Sequence, residues 1–376
     1  MVGLEVVGLI AHILVFYGIY VILALSFNLE YGFTGLPNFG KVLFYSLGAY
    51  AAGTLSATLA TSLAEFTTST SPPYCDARAI PVMSRLAATN MLFDIGVFIV
   101  GLFLAAIVGF IAGVVASYPT LKLRGDFLAI TLLALGEVVR IIASTEKWPV
   151  CGIIGLTGIP TPFAWIGDPD TTRLAYACLV LAFAAIIYVL VELVSNSPWG
   201  RLLKAIRDDE LAVEVYGRNP VKTKAEVMAF GSMLAAIAGA LYAFYVGGVY
   251  PRDFIPIVTF MVVVMVMLGG PANNKGVLLG AAIVTLMDQL FNASIFNALG
   301  IPLPRNILLA IPYIKYMVMG ILIVLLLMYR PQGLIPEKPL RTPVVDEMKR
   351  ILYGMREGKE ENQLPITRST RYLSTT

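Results

Sequence analysis

Long apolar windows interrupted by glycine and proline run through most of the chain. They fall at residues 4–28, 39–63, 91–118, 126–143, 173–194, 225–247, 255–270, 276–291 and 307–329. A helix needs about 20 residues to cross a hydrocarbon core of about 30 Å. The pattern therefore predicts an all-α, polytopic membrane helix bundle of about nine spans, within a range of eight to ten. The windows at 255–270 and 276–291 fall short of a full crossing, which predicts tilted, re-entrant or broken helices packed inside the bundle. A transmembrane β-barrel would show alternating ten-residue segments instead of continuous apolar runs. The first window carries Glu5 and no early Lys or Arg, so it reads as a retained span and not as a cleavable leader.

Composition sharpens this picture. Of 376 residues, 58% are hydrophobic and 14% charged, where a soluble domain carries about a quarter charged residues. A soluble enzyme and a single-anchor protein are both excluded. The charges collect at residues 195–224 and 330–376, which divides the chain into a transmembrane domain over 1–337 and a charged tail over 338–376. Lys122 and Arg124 mark the segment 119–125, six Lys and Arg lie in 195–224, and nine lie from Arg330 onward. Even numbers of spans separate these three segments, so all three are expected in the cytoplasm. The N-terminus is then outside the cell membrane, and 64–90 and 144–172 become extracytoplasmic loops. Cys75 and Cys151 fall in those two loops, where an oxidising exterior permits a disulfide between them; Cys178 is expected mid-span as a small packing residue. The net charge of +3 is confined to loops and gives no sign of nucleic-acid binding.

Candidate chemistry is sparse. Gly35-Leu-Pro-Asn-Phe-Gly40-Lys41-Val42 follows the phosphate-binding loop pattern until Val42 stands where Ser or Thr should hold magnesium, and no strand-rich domain surrounds it. It reads better as a break in helical structure at Gly32, Gly35, Pro37 and Gly40, whose freed backbone groups must line a cavity or pack in protein. A related break, Gly269-Gly270-Pro271-Ala-Asn273, precedes Lys275 in the second half. The two suggest an internal repeat, although the predicted topology runs them in the same direction. His12 is the only histidine, so no metal site or conventional catalytic triad is expected, and no catalytic residue is assigned. Glu137 and Arg140 are three residues apart and share a helix face, either as an interfacial anchor or as the lining of a polar passage. Asp94, Glu192 and Asp288 sit near predicted helix ends, where capping or snorkelling explains them.

The segment Ser197 to Pro220 predicts a short amphipathic helix between two spans, with Ser197-Pro198 at its start and Gly217 and Pro220 at its stop. Over 195–224 the charges are mixed, six basic and four acidic, which suits protein contact better than anionic lipid.

Seven blocks in order, GLPNFGKVLFYSLGAY, LRGDFLAITLLALGEVVRII, GLTGIP, SPWGRLLKAIRDDELAVEVYG, AGALYAFY, VVVMVMLGG with GVLLGAA, and LLMYRPQGL, resemble the permease subunits of branched-chain amino acid ABC importers, the LivM-like half of the Liv system. The resemblance covers about Tyr31 to Pro336. It implies a second, LivH-like permease subunit, two ABC ATPase subunits that carry ATP and magnesium, and an extracytoplasmic substrate-binding protein, with no cofactor bound by this chain. It also implies that 198–218 is the cytoplasmic coupling helix, with Arg207, Glu210, Ala212 and Gly217 at its most recognisable positions. Alternating access then needs no covalent chemistry here. Asn38, Asp126, Glu137, Arg140 and Asn273 are the candidates for the translocation pathway, and Gly35, Pro37, Gly40, Gly269, Gly270 and Pro271 for the structural helix breaks. Lys41 departs from the histidine common at its position in the family, and loop 64–90 and the tail beyond Pro339 lack counterparts. Urea or short-amide permeases share the scaffold, and an ion-coupled secondary transporter using Asp126 and Glu137 is the reading from another class.

Overall fold

A computed structural model describes residues 2–66, 72–120, 123, 125–291, 305–330 and 332–337. The predicted tail over 338–376 and the basic residues Lys122 and Arg124 lie outside the described residues. The helices are α1 (Val2–Phe27), α2 (Lys41–Leu63), α3 (Ala79–Thr89), α4 (Met91–Thr120), α5 (Asp126–Thr145), α6 (Pro169–Asn196), α7 (Pro198–Asp208), α8 (Glu210–Val215), α9 (Pro220–Val246), α10 (Pro256–Gly269), α11 (Asn274–Leu290) and α12 (Arg305–Tyr329). Each of the nine apolar windows corresponds to one of these helices. Among the described residues, seven helical stretches are long and apolar enough to cross a membrane. The two short windows become α10, of 14 residues, and α11, of 17 residues, packed against each other and against α1.

The centre of the bundle is α2, α4 and α9, and small residues bring their backbones together. Gly48 of α2 lies against the backbone of Ala236 in α9, Gly239 against the carbonyl of Tyr45, and Gly109 and Gly113 of α4 against Ser232 and Ala229; a Cβ at any of these four positions would collide with backbone or side-chain atoms of the neighbouring helix. In a bilayer, where apolar side chains gain nothing by leaving lipid, such close approach is what drives helix association. α1 packs on α6, α9 and α11, and Tyr176 of α6 donates its hydroxyl to the carbonyl of Leu241 in α9 at 2.7 Å.

The contacts separate the two ends of the bundle. At one end, Cys75 and Cys151 form a disulfide, and Leu156–Thr157 pairs antiparallel with Gly248–Val249 in a two-stranded ribbon, β1 and β2. Asp94 accepts the amide of Phe163 at 3.0 Å there. Asp168 caps α6; the hydroxyl and amide of Thr171 hold its carboxylate below the usual range. At the other end lie the turn after α1, α7 and α8, the α10–α11 junction and residues 332–337. Cys178 differs from expectation: it stands on the exposed face of α6 and not in the core.

Candidate functional site

The end carrying α7 and α8 gathers most of the residues singled out in the sequence. The α1 helix passes into one π-helical turn, Asn28–Gly32, and then leaves helical geometry through Gly35, whose φ of +73° suits a residue without a Cβ. A π-turn widens the hydrogen-bond ring and frees polar groups that hydrocarbon could not satisfy. Here the carbonyls of Glu30 and Tyr31 accept the amides of Leu36 and Gly35, and that of Leu29 accepts the Thr34 hydroxyl, while the Asn28 side chain reaches to the second break. The buried carboxamide of Asn28 accepts the Ala272 amide at 2.8 Å and donates to Asn274 Oδ1 at 2.9 Å. Asn274 in turn donates to Glu192 Oε2 at 2.7 Å and to Ser195 Oγ at 3.2 Å, at the end of α6. Asn273 caps α11 by accepting the amides of Lys275 and Gly276, and donates to the Pro336 carbonyl at 3.0 Å. The two glycine- and proline-rich breaks thus form one cluster, from which α2 and α11 run in the same direction.

Beneath this cluster, Lys41 Nζ meets Glu30 Oε1 at 2.7 Å, with both side chains sealed from solvent. Gly231 of α9 leaves room for the Glu30 carboxylate. Asn38 is buried as well, its side chain accepting the Gly40 amide at 3.0 Å, so it closes the turn into α2. The pairing of Glu30 with Lys41 was not anticipated. Its spacing of eleven residues matches no helical face, and the chain folds back between them.

The predicted amphipathic helix is two helices. Ser197 caps α7 at the amide of Gly200, and Asp209 caps α8 at the amide of Ala212, so the chain turns between Asp208 and Glu210. α7 seals its apolar face inward: Leu203 packs with Leu29, Phe33, Val227 and Ala272. Arg207 also turns inward, donating from Nη1 to the Gly32 carbonyl at 2.7 Å and pairing through Nη2 with Glu337 at 2.9 Å. Lys204 holds the other oxygen of Glu337 at 2.8 Å. α8 behaves differently. Glu210 pairs with Lys224 of α9, Ala212 is exposed, and Gly217 takes φ +77° with open space around it. Leu211, Val215 and Tyr216 project outward at 73%, 86% and 88% exposure. Of the four predicted coupling residues, Arg207 therefore belongs to the interior cluster, while Glu210, Ala212 and Gly217 lie on or beside the projecting α8.

The remaining pathway candidates are elsewhere. Asp126 is exposed in the first turn of α5. Arg140 Nε donates to Glu137 Oε2 at 2.9 Å, and the pair is about one-third exposed in the second half of α5. It shares that helix with the uncovered Ile130, Val138 and Ile141. At the disulfide end, a crevice of about 840 Å³ opens between α1, α6 and α9, lined by His12, Arg173 and Tyr245 among others; His12 Nδ1 lies 2.7 Å from the Tyr245 hydroxyl. Among the described residues no group of three or more His, Cys, Asp or Glu could hold a metal ion.

Comparison with known proteins bears on what this arrangement serves. The family profile described as "Branched-chain amino acid transport system / permease component" matches residues 9–327. The "Probable branched-chain amino acid transport permease protein LivM" of Methanocaldococcus jannaschii is 38% identical over 347 residues, covering 90% of this chain and 96% of that protein. The "High-affinity branched-chain amino acid transport system permease protein LivM" of Salmonella typhimurium is 28% identical and that of Escherichia coli 27%, each over 85% of this chain and 68% of the relative. No solved structure gives a significant match.

Proposed function

The chain belongs to the branched-chain amino acid transport permease family, and from that premise we propose that it is the permease subunit of an ABC importer carrying Leu, Ile or Val into the cytoplasm. It works with a second permease, two ATPase subunits that hold ATP and magnesium, and an extracytoplasmic binding protein. The observation that carries this reading is α8. A helix of six residues between two spans displays Leu211, Val215 and Tyr216 at the end rich in Lys and Arg. Three large apolar side chains so exposed beside charged neighbours mark a protein contact. In this reading they dock on an ATPase subunit, and that end of the bundle faces the cytoplasm.

The translocation path runs along the open face of α5, between this chain and the second permease. A charged pair in the interior of a span is costly against lipid. Glu137 and Arg140 are only partly covered and already neutralise one another, so they suit a polar passage for a zwitterion. Substrate recognition is mostly the binding protein's task, and the pair offers passage more than selectivity.

Purification of the tagged chain in mild detergent, followed by mass spectrometry, tests the assignment. Copurification of an ATPase subunit and a second permease is the expected result, and Leu211→Asp with Tyr216→Asp should abolish recovery of the ATPase alone. A chain that purifies alone and takes up substrate in liposomes under an ion gradient overturns the reading in favour of a secondary transporter.

A further inference from the structure

We propose that Arg207 and Asn28 form an internal linkage that couples the cytoplasmic segment to both membrane helix breaks, with Arg207 acting as a positioning residue inside the permease and not as a contact for another subunit. This rests on the importer reading above and assigns a separate task to each half of the segment: α8 docks, and α7 transmits.

The linkage can be followed atom by atom. The Arg207 guanidinium donates to the carbonyl of Gly32, the last residue of the π-turn. Its stem lies over Gly35, where an added Cβ would press on Cγ at 3.2 Å. Four residues before Gly32, on the same turn, Asn28 grips the backbone of the second break at Ala272 and the side chain of Asn274. Asn274 continues to Glu192 and Ser195 at the end of α6, the span from which α7 itself departs. The path is therefore a closed loop, α7 to the π-turn to the α10–α11 junction to α6 and back to α7.

A second arm reinforces it. Glu337 bridges Lys204 and Arg207, and the segment leading to it donates from Leu334 and Ile335 to the carbonyls of Leu268 and Gly269 at 2.8 and 3.0 Å. The same α10 end is thus held from two sides by groups attached to α7. The breaks it joins are where backbone bonds are already interrupted, so a displacement of α7 is absorbed there and not in the continuous helices α2, α4 and α9. A single π-turn at such a place is the local feature that lets a helix re-register without unfolding.

The test uses the complete importer with its ATPase subunits in proteoliposomes. Arg207→Ala is expected to copurify the ATPase subunits as wild type does and to hydrolyse ATP, while substrate imported per ATP falls roughly tenfold, within the range usual for coupling between sites. Arg207→Lys, which can still reach the Gly32 carbonyl, should recover part of that ratio. Asn28→Leu should resemble Arg207→Ala, and the double variant should be no worse than either single one, because both cut one chain of contacts. Spin labels placed at the exposed Arg201 of α7 and at the exposed Leu279 of α11 give a second readout that needs no transport: the ATP-dependent change in their separation should vanish in Arg207→Ala. If Arg207→Ala loses the ATPase subunits as the Leu211→Asp, Tyr216→Asp double variant does, Arg207 is a docking residue and the linkage is wrong. An unchanged ratio of substrate to ATP, or an unchanged label movement, overturns it equally. Failure of the wild-type chain to copurify an ATPase would strike the importer reading instead.

Discussion

Glu30 and Lys41 pose the sharpest question at the scale of single residues. Both are sealed from solvent, 2.7 Å apart, in a segment that the bilayer surrounds. Removing one partner of such a pair leaves an uncompensated buried charge, at a cost of about 3–5 kcal/mol, whereas replacing both with apolar residues of similar volume is often neutral. Lys41→Met is expected to lower the thermal unfolding midpoint sharply in detergent, and Glu30→Leu with Lys41→Met together to restore most of it. A double variant no better than the single one would show that the pair holds the π-turn in register through its hydrogen bonds as well as its charge. Asn38 and Asn273, expected from sequence to line the passage, accept backbone amides at helix starts, Asn38 that of Gly40 and Asn273 those of Lys275 and Gly276. Glu137→Gln addresses the passage directly: in the reconstituted importer it should cut uptake by about tenfold or more, since it leaves Arg140 unpaired within the span, while recovery of the assembled complex stays unchanged.

At the scale of elements, the close crossing of α2 and α9 depends on having no side chain at Gly48 and Gly239. Overpacking a tight core contact costs about 1–3 kcal/mol or more. Gly239→Leu is therefore expected to reduce the yield of folded chain, read as a monodisperse peak in size-exclusion chromatography, while Gly96→Leu, at a glycine with open space around it, should not. All nine apolar windows were legible in the sequence because hydrocarbon imposes a length on helices whatever their neighbours. The breaks at Gly35 and Gly269 were legible for a related reason, since glycine and proline interrupt an otherwise continuous pattern. Their meeting was not. Asn28 lies more than 240 residues from both Ala272 and Asn274 in sequence, and no local periodicity marks a carboxamide that bonds across that distance. The segment after Ser197 was legible as an amphipathic helix with its boundaries, but Asp209 acts as a cap inside it and makes two helices of one. Arg207 was grouped with α8 because its neighbours in sequence are charged and exposed; its inward turn depends on Gly32 and Glu337, which sequence alone does not bring near it.

The whole molecule has a chemical asymmetry between its ends. One carries the Cys75–Cys151 disulfide and the β1–β2 ribbon, the other the ion pairs of Lys204 and Arg207 with Glu337. Disulfides persist in oxidising surroundings, and Lys and Arg are retained on the cytoplasmic side, so both criteria favour the orientation proposed above. In intact cells, a membrane-impermeant thiol reagent should label a cysteine placed at Ile153 and leave one at Tyr216 unlabelled until the membrane is opened; the reverse would invert the topology. Labelling at both positions would signal a chain that has not reached its native bundle.

Glu337, which ties Lys204 to Arg207, is among the last of the described residues to leave the ribosome. Every span before it can be inserted and packed while the clamp on α7 is still open. An interrupted or truncated product ending within α12 would therefore present the exposed face of α8 with no finished connection behind it. Synthesis thus has a natural order, in which the exposed face of α8 is complete before residues 332–337 tie α7 to the end of α10.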